Sequence, residues 1–173
     1  MNDWKYVPCT EDNNTIIFYK EESILDFRLD GAKSEPYRAH STDAGIDLSP
    51  KQDYLLPKNT RVLIDTGVSV KIPAGSFGLL VSRSSLSKKN IIIINSIGII
   101  DAEYRGNLKA NLMFLGDATT NMEYATLSAG ERILQLVVVP FIAFNTLNFV
   151  DCSKEEWENT QRGANGFGST GKI

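Results

Sequence analysis

The stretch NLKANLMFL, Asn107–Leu115, alternates apolar and polar residues over most of its length. Leu108, Ala110, Leu112 and Phe114 would share one face of an extended chain, because successive side chains of a strand point to opposite faces. A run of this length with a period of two predicts a half-buried β-strand. The stretch therefore indicates a protein built from sheets.

Two further stretches support this interpretation. VSVKI at Val68–Ile72 and RILQLVVV at Arg132–Val139 are short, rich in β-branched residues and bounded by glycine or proline turns. Only two short helices are expected: one within Ser84–Asn90, and one beginning at Ser153, where Ser and Glu three residues apart form a capping-box pattern. Many short strands separated by turns predict an all-β sandwich or jelly roll.

Size and charge limit the functions that remain open. The chain has 173 residues, enough for one domain with a sizeable core, and a net charge of −3 with a pI near 5.2. This balance argues against a general nucleic-acid or anionic-membrane surface. No apolar run reaches the length of a membrane span. Two cysteines far apart suggest neither a disulfide framework nor a metal site. We expect a cytoplasmic protein.

Composition divides the chain into three parts. Residues 1–22 look like an added N-terminal segment with one strand near Thr15–Tyr19, residues 23–150 form the β core, and residues 151–173 form a glycine-rich C-terminal arm. The arm contains the pattern G-x-x-x-x-G-K at Gly166–Lys172, as in a phosphate-binding P-loop. Ile173 follows instead of Ser or Thr and a helix, so the P-loop interpretation fails.

Five polar stretches interrupt the strands. They are TDAGIDL (42–48), VSRSSLS (81–87), NSIGIIDAEYRG (95–106), GERILQL (130–136) and RGANGFGSTG (162–171). Taken one at a time, each has an ordinary explanation: a turn aspartate, a solvated arginine, a hairpin turn, a buried glutamine bonded to backbone, and an unstructured tail. Their order along one chain is what makes the set specific.

In this order the five stretches resemble the motifs of the trimeric deoxyuridine triphosphatase (dUTPase) family, from Phe27 to Gly171. Two departures stand out: Ser85 occupies a position where the family usually has glycine, and Asn165 replaces another common glycine. The resemblance implies a distorted jelly-roll subunit in a homotrimer with a swapped C-terminal arm. It also implies hydrolysis of dUTP to dUMP and pyrophosphate, with Mg²⁺ as cofactor and no nucleic-acid or membrane partner.

The resemblance also implies residue roles. Asp101 would be the general base that activates water, a role suited to a carboxylate within hydrogen-bond reach. Gln135 would help to hold that water, and Asp47 would contact Mg²⁺ through water. Arg83, Ser84 and Ser85 would grip the phosphates.

Base and sugar selection would fall to the third motif, expected as a tight β-hairpin that pairs with uracil through its backbone. Its wall would be Asn95, Gly98, Ile99 and Ile100, with the Tyr104 ring under the deoxyribose. Lys109 stands at a position that lines the family's site. The remaining implied contacts come from the arm: Arg162, Phe167, Gly168, Ser169 and Thr170.

Two other functions stay open at this point. The related dCTP deaminase family also has an Arg-Ser-Ser stretch, but it needs a glutamate where this chain has Asn111, and it lacks such an arm. A module that senses dUTP and contacts a partner is the other alternative, since residues 1–22 leave room for a protein partner. The presence of Asp101, Gln135 and Asp47 together favours catalysis, because sensing needs no general base.

Overall fold

The computed structural model describes residues 4–8, 16–20, 24–117, 119–144, 146–161 and 164. The chain divides into two compact units, Met1–Ile142 and Ala143–Ile173. The second unit thus begins earlier than the arm expected from residue 151, and the division of the chain at residues 22 and 150 stays a prediction.

The described residues contain thirteen strands and two short helices. The strands are β1 (Trp4–Pro8), β2 (Ile16–Lys20), β3 (Asp26–Leu29), β4 (Ile46–Leu48), β5 (Tyr54–Pro57), β6 (Arg61–Asp65), β7 (Val68–Lys71), β8 (Ser76–Ser82), β9 (Ile91–Ile93), β10 (Gly98–Ile100), β11 (Lys109–Phe114), β12 (Tyr124–Leu127) and β13 (Leu134–Pro140). The helices are α1 (Ser84–Lys88) and α2 (Lys154–Trp157).

The strands pair antiparallel in small sheets, as the all-β prediction requires. The largest has the order β10-β8-β13-β4, and a second has the order β6-β11-β9. The pairs β12-β5, β3-β7 and β1-β2 complete the set within the described residues. The strands predicted at 68–72, 107–115 and 132–139 are observed as β7, β11 and β13, each shorter or shifted by one or two residues.

The core lies under the face of β11 that the opening stretch predicted. Leu108, Ala110, Leu112 and Phe114 are all buried. They join residues from most other strands of the first unit in one apolar cluster, and Leu86 of α1 and Ile133 ahead of β13 are buried in the same cluster. This cluster fixes the strand ends where the polar motifs emerge.

Both predicted helices are present. In α2 the Ser153 side chain accepts the backbone N–H of Glu156, and the Glu156 carboxylate accepts the backbone N–H of Ser153, which completes the predicted capping box. The backbone N–H of Ser153 and then its hydroxyl, both within hydrogen-bond distance of the Glu156 carboxylate, hold the pKa of Glu156 below its ordinary value. The N-terminal segment has two strands where the sequence predicted one, because β1 pairs antiparallel with β2.

No helix among the described residues is long and apolar enough to cross a membrane.

Candidate active site

The first polar cluster forms where β4 and β13 lie side by side. The register places Gln135 directly opposite Asp47, and the Gln135 Nε2 donates to Asp47 Oδ1 at 3.2 Å. Asp47 is buried, with only 9% of its surface exposed. A Cβ at Gly45 would lie 3.2 Å from the Gln135 amide carbon, so glycine leaves room for the amide to lie against the backbone. The polar residue inside an apolar strand is therefore satisfied by a carboxylate rather than by backbone.

Two arginines converge on the same carboxylate. Arg83 Nε lies 3.0 Å from Asp47 Oδ1, and Arg132 Nη1 lies 3.5 Å from Oδ2. Arg83 also donates through Nη1 to the backbone oxygen of Arg132 at 3.0 Å. The Arg132 guanidinium stacks over the Tyr37 ring, 4.6 Å from its centre, and Tyr37 is bridged to Asp47 by two backbone hydrogen bonds. We call this site the Asp47 cleft; Tyr37, Asp47, Arg83, Arg132 and Gln135 line it.

The two serines after Arg83 lie at the start of α1. Ser84 is exposed, and its backbone oxygen accepts the Ser87 hydroxyl at 2.6 Å. The Ser85 hydroxyl is shielded from solvent and has no hydrogen-bond partner among the described residues. In this conformation the Ser85 hydroxyl is therefore not presented to solvent, and its predicted contact with phosphate stays a prediction.

A second cleft holds Asp101. It is an open cleft of about 790 Å³, lined by Ala74–Phe77, Ile99, Asp101–Tyr104 and Phe141. We call it the Asp101 cleft. A volume of this order is typical of small-molecule sites. Among the described residues, the Asp101 carboxylate makes no hydrogen bond or ion pair.

Tyr104 is held in place at the edge of this cleft. Its backbone N–H donates to the backbone oxygen of Asp101 at 3.0 Å, and its hydroxyl donates to the backbone oxygen of Asn107 at 3.0 Å. The ring lies so close to Gly106 that a Cβ there would collide with it. Glycine at 106 therefore lets the ring stay folded against its own loop with nearly half of its surface exposed.

The prediction of a β-hairpin at the third motif is wrong. β10 pairs with β8, with Gly98 opposite Leu80, whereas β9 and β11 pair with each other in a different sheet. The segment therefore crosses between sheets instead of folding back on itself. Gly98 suits this close pairing, because a Cβ there would lie 3.2 Å from Leu80 Cβ. The Asn95 amide is used locally, donating to the Ile97 oxygen at 3.1 Å.

The register also shows that the two clefts are separate. Gln135 of β13 is opposite Val81 of β8. Ile100 belongs to β10, which pairs with the other edge of β8, and it is opposite Gly78, three residues away from Val81. With about 3.3 Å per residue and about 4.8 Å between strands, the Cα atoms of Gln135 and Ile100 are roughly 14 Å apart. Asp101 lies beyond Ile100. The two residues expected to hold one water therefore line different clefts of one chain.

Comparison with known proteins identifies the family. A family model described as dUTPase matches residues 32–171. The chain belongs to the dUTPase family.

Individual relatives agree with this assignment. The deoxyuridine 5′-triphosphate nucleotidohydrolase of Corynebacterium efficiens is 37% identical over 164 residues, covering 94% of this chain and 83% of the relative. That of Escherichia phage T5 is 47% identical over 135 residues, covering 74% and 85%. The solved Staphylococcus bacteriophage 80alpha dUTPase with dUPNHPP is 32% identical with a TM-score of 0.75, covering 87% of this chain and 99% of that one.

A second solved relative is relevant to metal binding. A mutant dUTPase from phage phi11 of S. aureus, described as revealing the coordination of a structural Mg(II) ion, is 31% identical with a TM-score of 0.66, covering 76% and 99%. Within the described residues of this dUTPase-family chain, no group of three or more His, Cys, Asp or Glu side chains could hold an ion. Asp47 alone, with both oxygens already bound by protein groups, suits an ion that is held mainly by phosphates and water.

Lys109 lies away from both clefts. Its ammonium is 3.8 Å from Asp65, whose carboxylate also accepts from Lys51 Nζ at 2.8 Å and from the Gly67 backbone N–H at 2.8 Å. Burial acts to raise the pKa of Asp65, but the Lys51 hydrogen bond, the Gly67 N–H and the Lys109 charge outweigh it and hold that pKa below its ordinary value. Whether Lys109 also contacts substrate stays a prediction.

The arm residues fall outside the described part of the chain. These are Arg162, Phe167, Gly168, Ser169 and Thr170. Conversely, the structure adds two residues that the sequence did not single out, Arg132 and Tyr37. Arg132 stands inside the quoted GERILQL stretch, and a cation at the entrance to an apolar strand was a usable signal. Tyr37 had none, because only the bridge to Asp47 brings it there.

Proposed function

We propose that the protein is a dUTP diphosphatase, which hydrolyses dUTP to dUMP and pyrophosphate by attack of water on the α-phosphorus. Such an activity limits the incorporation of uracil into DNA and supplies dUMP for thymidylate synthesis. The observation that carries the proposal is the cluster in the Asp47 cleft. It presents two guanidiniums and an amide around one buried carboxylate, on a chain of the dUTPase family.

The proposed chemistry begins at Asp101. A carboxylate without a protein partner among the described residues is available to accept a proton from water as the new P–O bond forms. The bond between the α-phosphorus and the bridging oxygen breaks, and pyrophosphate leaves. Gln135 would orient the same water through its amide. Because Gln135 also donates to Asp47, the orientation of the amide is set by the cluster behind it.

A complete site would then require more than one chain. Since Asp101 and Gln135 line different clefts of one subunit, one water can contact both only if a second copy supplies one of them. A homotrimer with three shared sites meets this requirement. The swapped arm would close each site, with Phe167 stacking on uracil and Arg162, Gly168, Ser169 and Thr170 clamping the γ-phosphate.

The phosphates would bind in the Asp47 cleft. Arg83 and Ser84 would contact the phosphate chain, and Arg132, held over Tyr37, would add a second charge-assisted hydrogen bond. Asp47 would contact Mg²⁺ through water, and the ion would neutralise charge on the phosphate oxygens. Asp47 holds both guanidiniums in place before substrate arrives.

Uracil would be recognised by β10. In the described residues β10 is an edge strand, so one row of its backbone N–H and C=O groups has no strand partner. Gly98, Ile99 and Ile100 can offer these groups to the base, and cytosine presents the opposite donor and acceptor pattern. Unpaired polar groups in such a site reject the wrong ligand by about 10⁴-fold. Tyr104 would pack under the deoxyribose and exclude a 2′-hydroxyl.

We further propose a cytoplasmic location, and a protein partner for residues 1–22, because that segment precedes the part of the chain matched by the family model.

Product analysis tests the proposal against its rivals. Purified protein with Mg²⁺ should release pyrophosphate from dUTP far faster than from dCTP, dTTP or UTP. Release of ammonia from dCTP would indicate a deaminase, although Asn111 of β11 stands where that chemistry needs a glutamate. Binding of dUTP with neither product would indicate a sensing module and would overturn the proposal.

A further inference from the structure

An aromatic pair lies beside Asp101 and belongs to none of the five motifs. Phe77 of β8 and Phe141, the residue after β13, have ring centres 6.0 Å apart at an angle of 76°. This edge-to-face geometry is favourable for two aromatic rings. Both side chains line the Asp101 cleft. The pair therefore forms a continuous apolar surface within the cleft of the proposed general base.

The backbone fixes the position of Phe141. β13 pairs with β8 up to Pro140 opposite Ser76, and the Phe141 N–H then donates to the Gly75 oxygen at 3.0 Å. Phe141 is thus tied to the turn that precedes β8, while its ring rests on Phe77. Phe141 still exposes 48% of its surface. An aromatic side chain that is held in place yet half exposed in a concave site is available to a ligand.

We propose that Phe141, supported by Phe77, is a substrate-contacting residue that packs against the nucleoside part of the substrate rather than against its phosphates. This inference rests on the proposed function. The guanidiniums that would bind phosphate lie in the Asp47 cleft, whereas the Asp101 cleft also presents Ile99 and Tyr104, both largely apolar and exposed. An apolar wall of this kind can pack against the faces and edges of a base and sugar. The described residues that line it include no cationic side chain that would bind a triphosphate.

The number of phosphates on the ligand distinguishes this role from others. A wall that contacts only the nucleoside contributes equally to binding of dUMP and of a non-hydrolysable α,β-imido analogue of dUTP. Phe141→Ala should therefore raise Kd for both ligands by the same factor, about tenfold for the loss of a partly covered aromatic ring. It should raise KM for dUTP similarly and leave kcat within about twofold, since uniform binding changes KM alone.

Controls separate contact from packing. Ile142, the next residue, is 79% exposed and does not line the cleft, so Ile142→Ala should match wild type. Phe141→Leu keeps an apolar side chain and should recover most of the affinity. Light scattering should be unchanged in all three variants, and the melting temperature should fall by no more than about 2–4 °C in Phe141→Ala, the loss expected for one half-exposed aromatic pair.

Several results would overturn the inference. They are unchanged dUMP binding in Phe141→Ala, a loss confined to the triphosphate analogue, a lower kcat at constant KM, or a smaller particle by light scattering, which would place Phe141 at a subunit interface. In each of these cases the proposed function would still hold, provided that the wild-type protein hydrolyses dUTP normally. A wild-type protein that neither binds nor hydrolyses dUTP would overturn both.

Discussion

In the Asp47 cleft both carboxylate oxygens are bound by protein groups, whereas in the Asp101 cleft the carboxylate has no protein partner among the described residues. The first site is therefore pre-assembled inside one chain: Arg83, Arg132 and Gln135 are oriented by the same buried group. The second consists of an open carboxylate surrounded by exposed apolar side chains. We infer that the first site holds charged groups in place before substrate binds. The second site is completed only when substrate and a neighbouring subunit are present.

The largest expected effect comes from the open carboxylate. Asp101→Asn should lower kcat for dUTP by about two to four orders of magnitude, the usual contribution of a general base. Binding of the α,β-imido analogue and the melting temperature should not change, because the side chain makes no hydrogen bond or ion pair with described residues. Single-turnover kinetics measure the effect directly. Near-normal turnover would mean that another group activates the water.

The arm should come next. Ending the chain at Thr160 removes Arg162, Phe167, Ser169 and Thr170, and we expect turnover of dUTP to fall by roughly 10²-fold, as when phosphate-stabilising donors are lost from other sites. The proposed trimer and the melting temperature should persist, since among the described residues the core cluster and the side chains packed against it extend no further than Val138. Binding of dUMP should change little. A truncated protein that turns over dUTP at the full rate would show that the arm has no part in catalysis.

The pre-assembled cleft is tested at Arg132. Arg132→Ala removes one charged hydrogen-bond donor and should reduce kcat/KM for dUTP by roughly 10- to 100-fold, the equivalent of one charge-assisted hydrogen bond. Binding of dUMP should be nearly unaffected, in contrast to Phe141→Ala. Lys58→Ala is a matched control, because this cation pairs with Glu123 outside both clefts. Equal losses for dUMP and the triphosphate analogue would contradict the division between the clefts.

A smaller effect is expected at Asp65, where a satisfied carboxylate has no proposed role in the reaction. Asp65→Asn should lower the free energy of unfolding by about 1–3 kcal/mol, because Lys51 loses a charged partner. The folded state lowers the pKa of Asp65, so its stabilisation is fully present above the unfolded pKa and is lost as pH falls through the folded value. The difference between wild type and variant should therefore be constant near neutrality and shrink below about pH 4. A difference that grows on acidification would contradict the sign.

The sequence predicted local structure well and spatial grouping poorly. Alternation in Leu108–Phe114 and the Ser153–Glu156 pair act within a few residues, and both predictions are confirmed. The predicted hairpin at the third motif failed because strand pairing depends on residues far apart in the sequence. β10 pairs with β8 through a close approach of Gly98 to Leu80, and the local sequence pattern does not specify that partner. Tyr37 was missed for the same reason, since it meets Asp47 only through an isolated bridge.

Ser85 gives the smallest expected effect and tests a position at which the motif resemblance predicts a departure from the family pattern. Its hydroxyl is buried without a partner among the described residues, and such an unsatisfied group costs about 1–3 kcal/mol. If the hydroxyl has no ligand, Ser85→Ala should raise the free energy of unfolding by about 1 kcal/mol, which corresponds to a rise of about 2–4 °C in melting temperature. It should leave kcat/KM for dUTP within about twofold. Ser85→Gly should gain less, because glycine within a helix costs about 0.5–1 kcal/mol relative to alanine. If the hydroxyl instead turns to bind phosphate, both variants should bind the triphosphate analogue about tenfold more weakly, with dUMP unaffected. Binding of the triphosphate analogue, measured beside the melting temperature in both variants, therefore separates a buried structural hydroxyl from an additional member of the phosphate site.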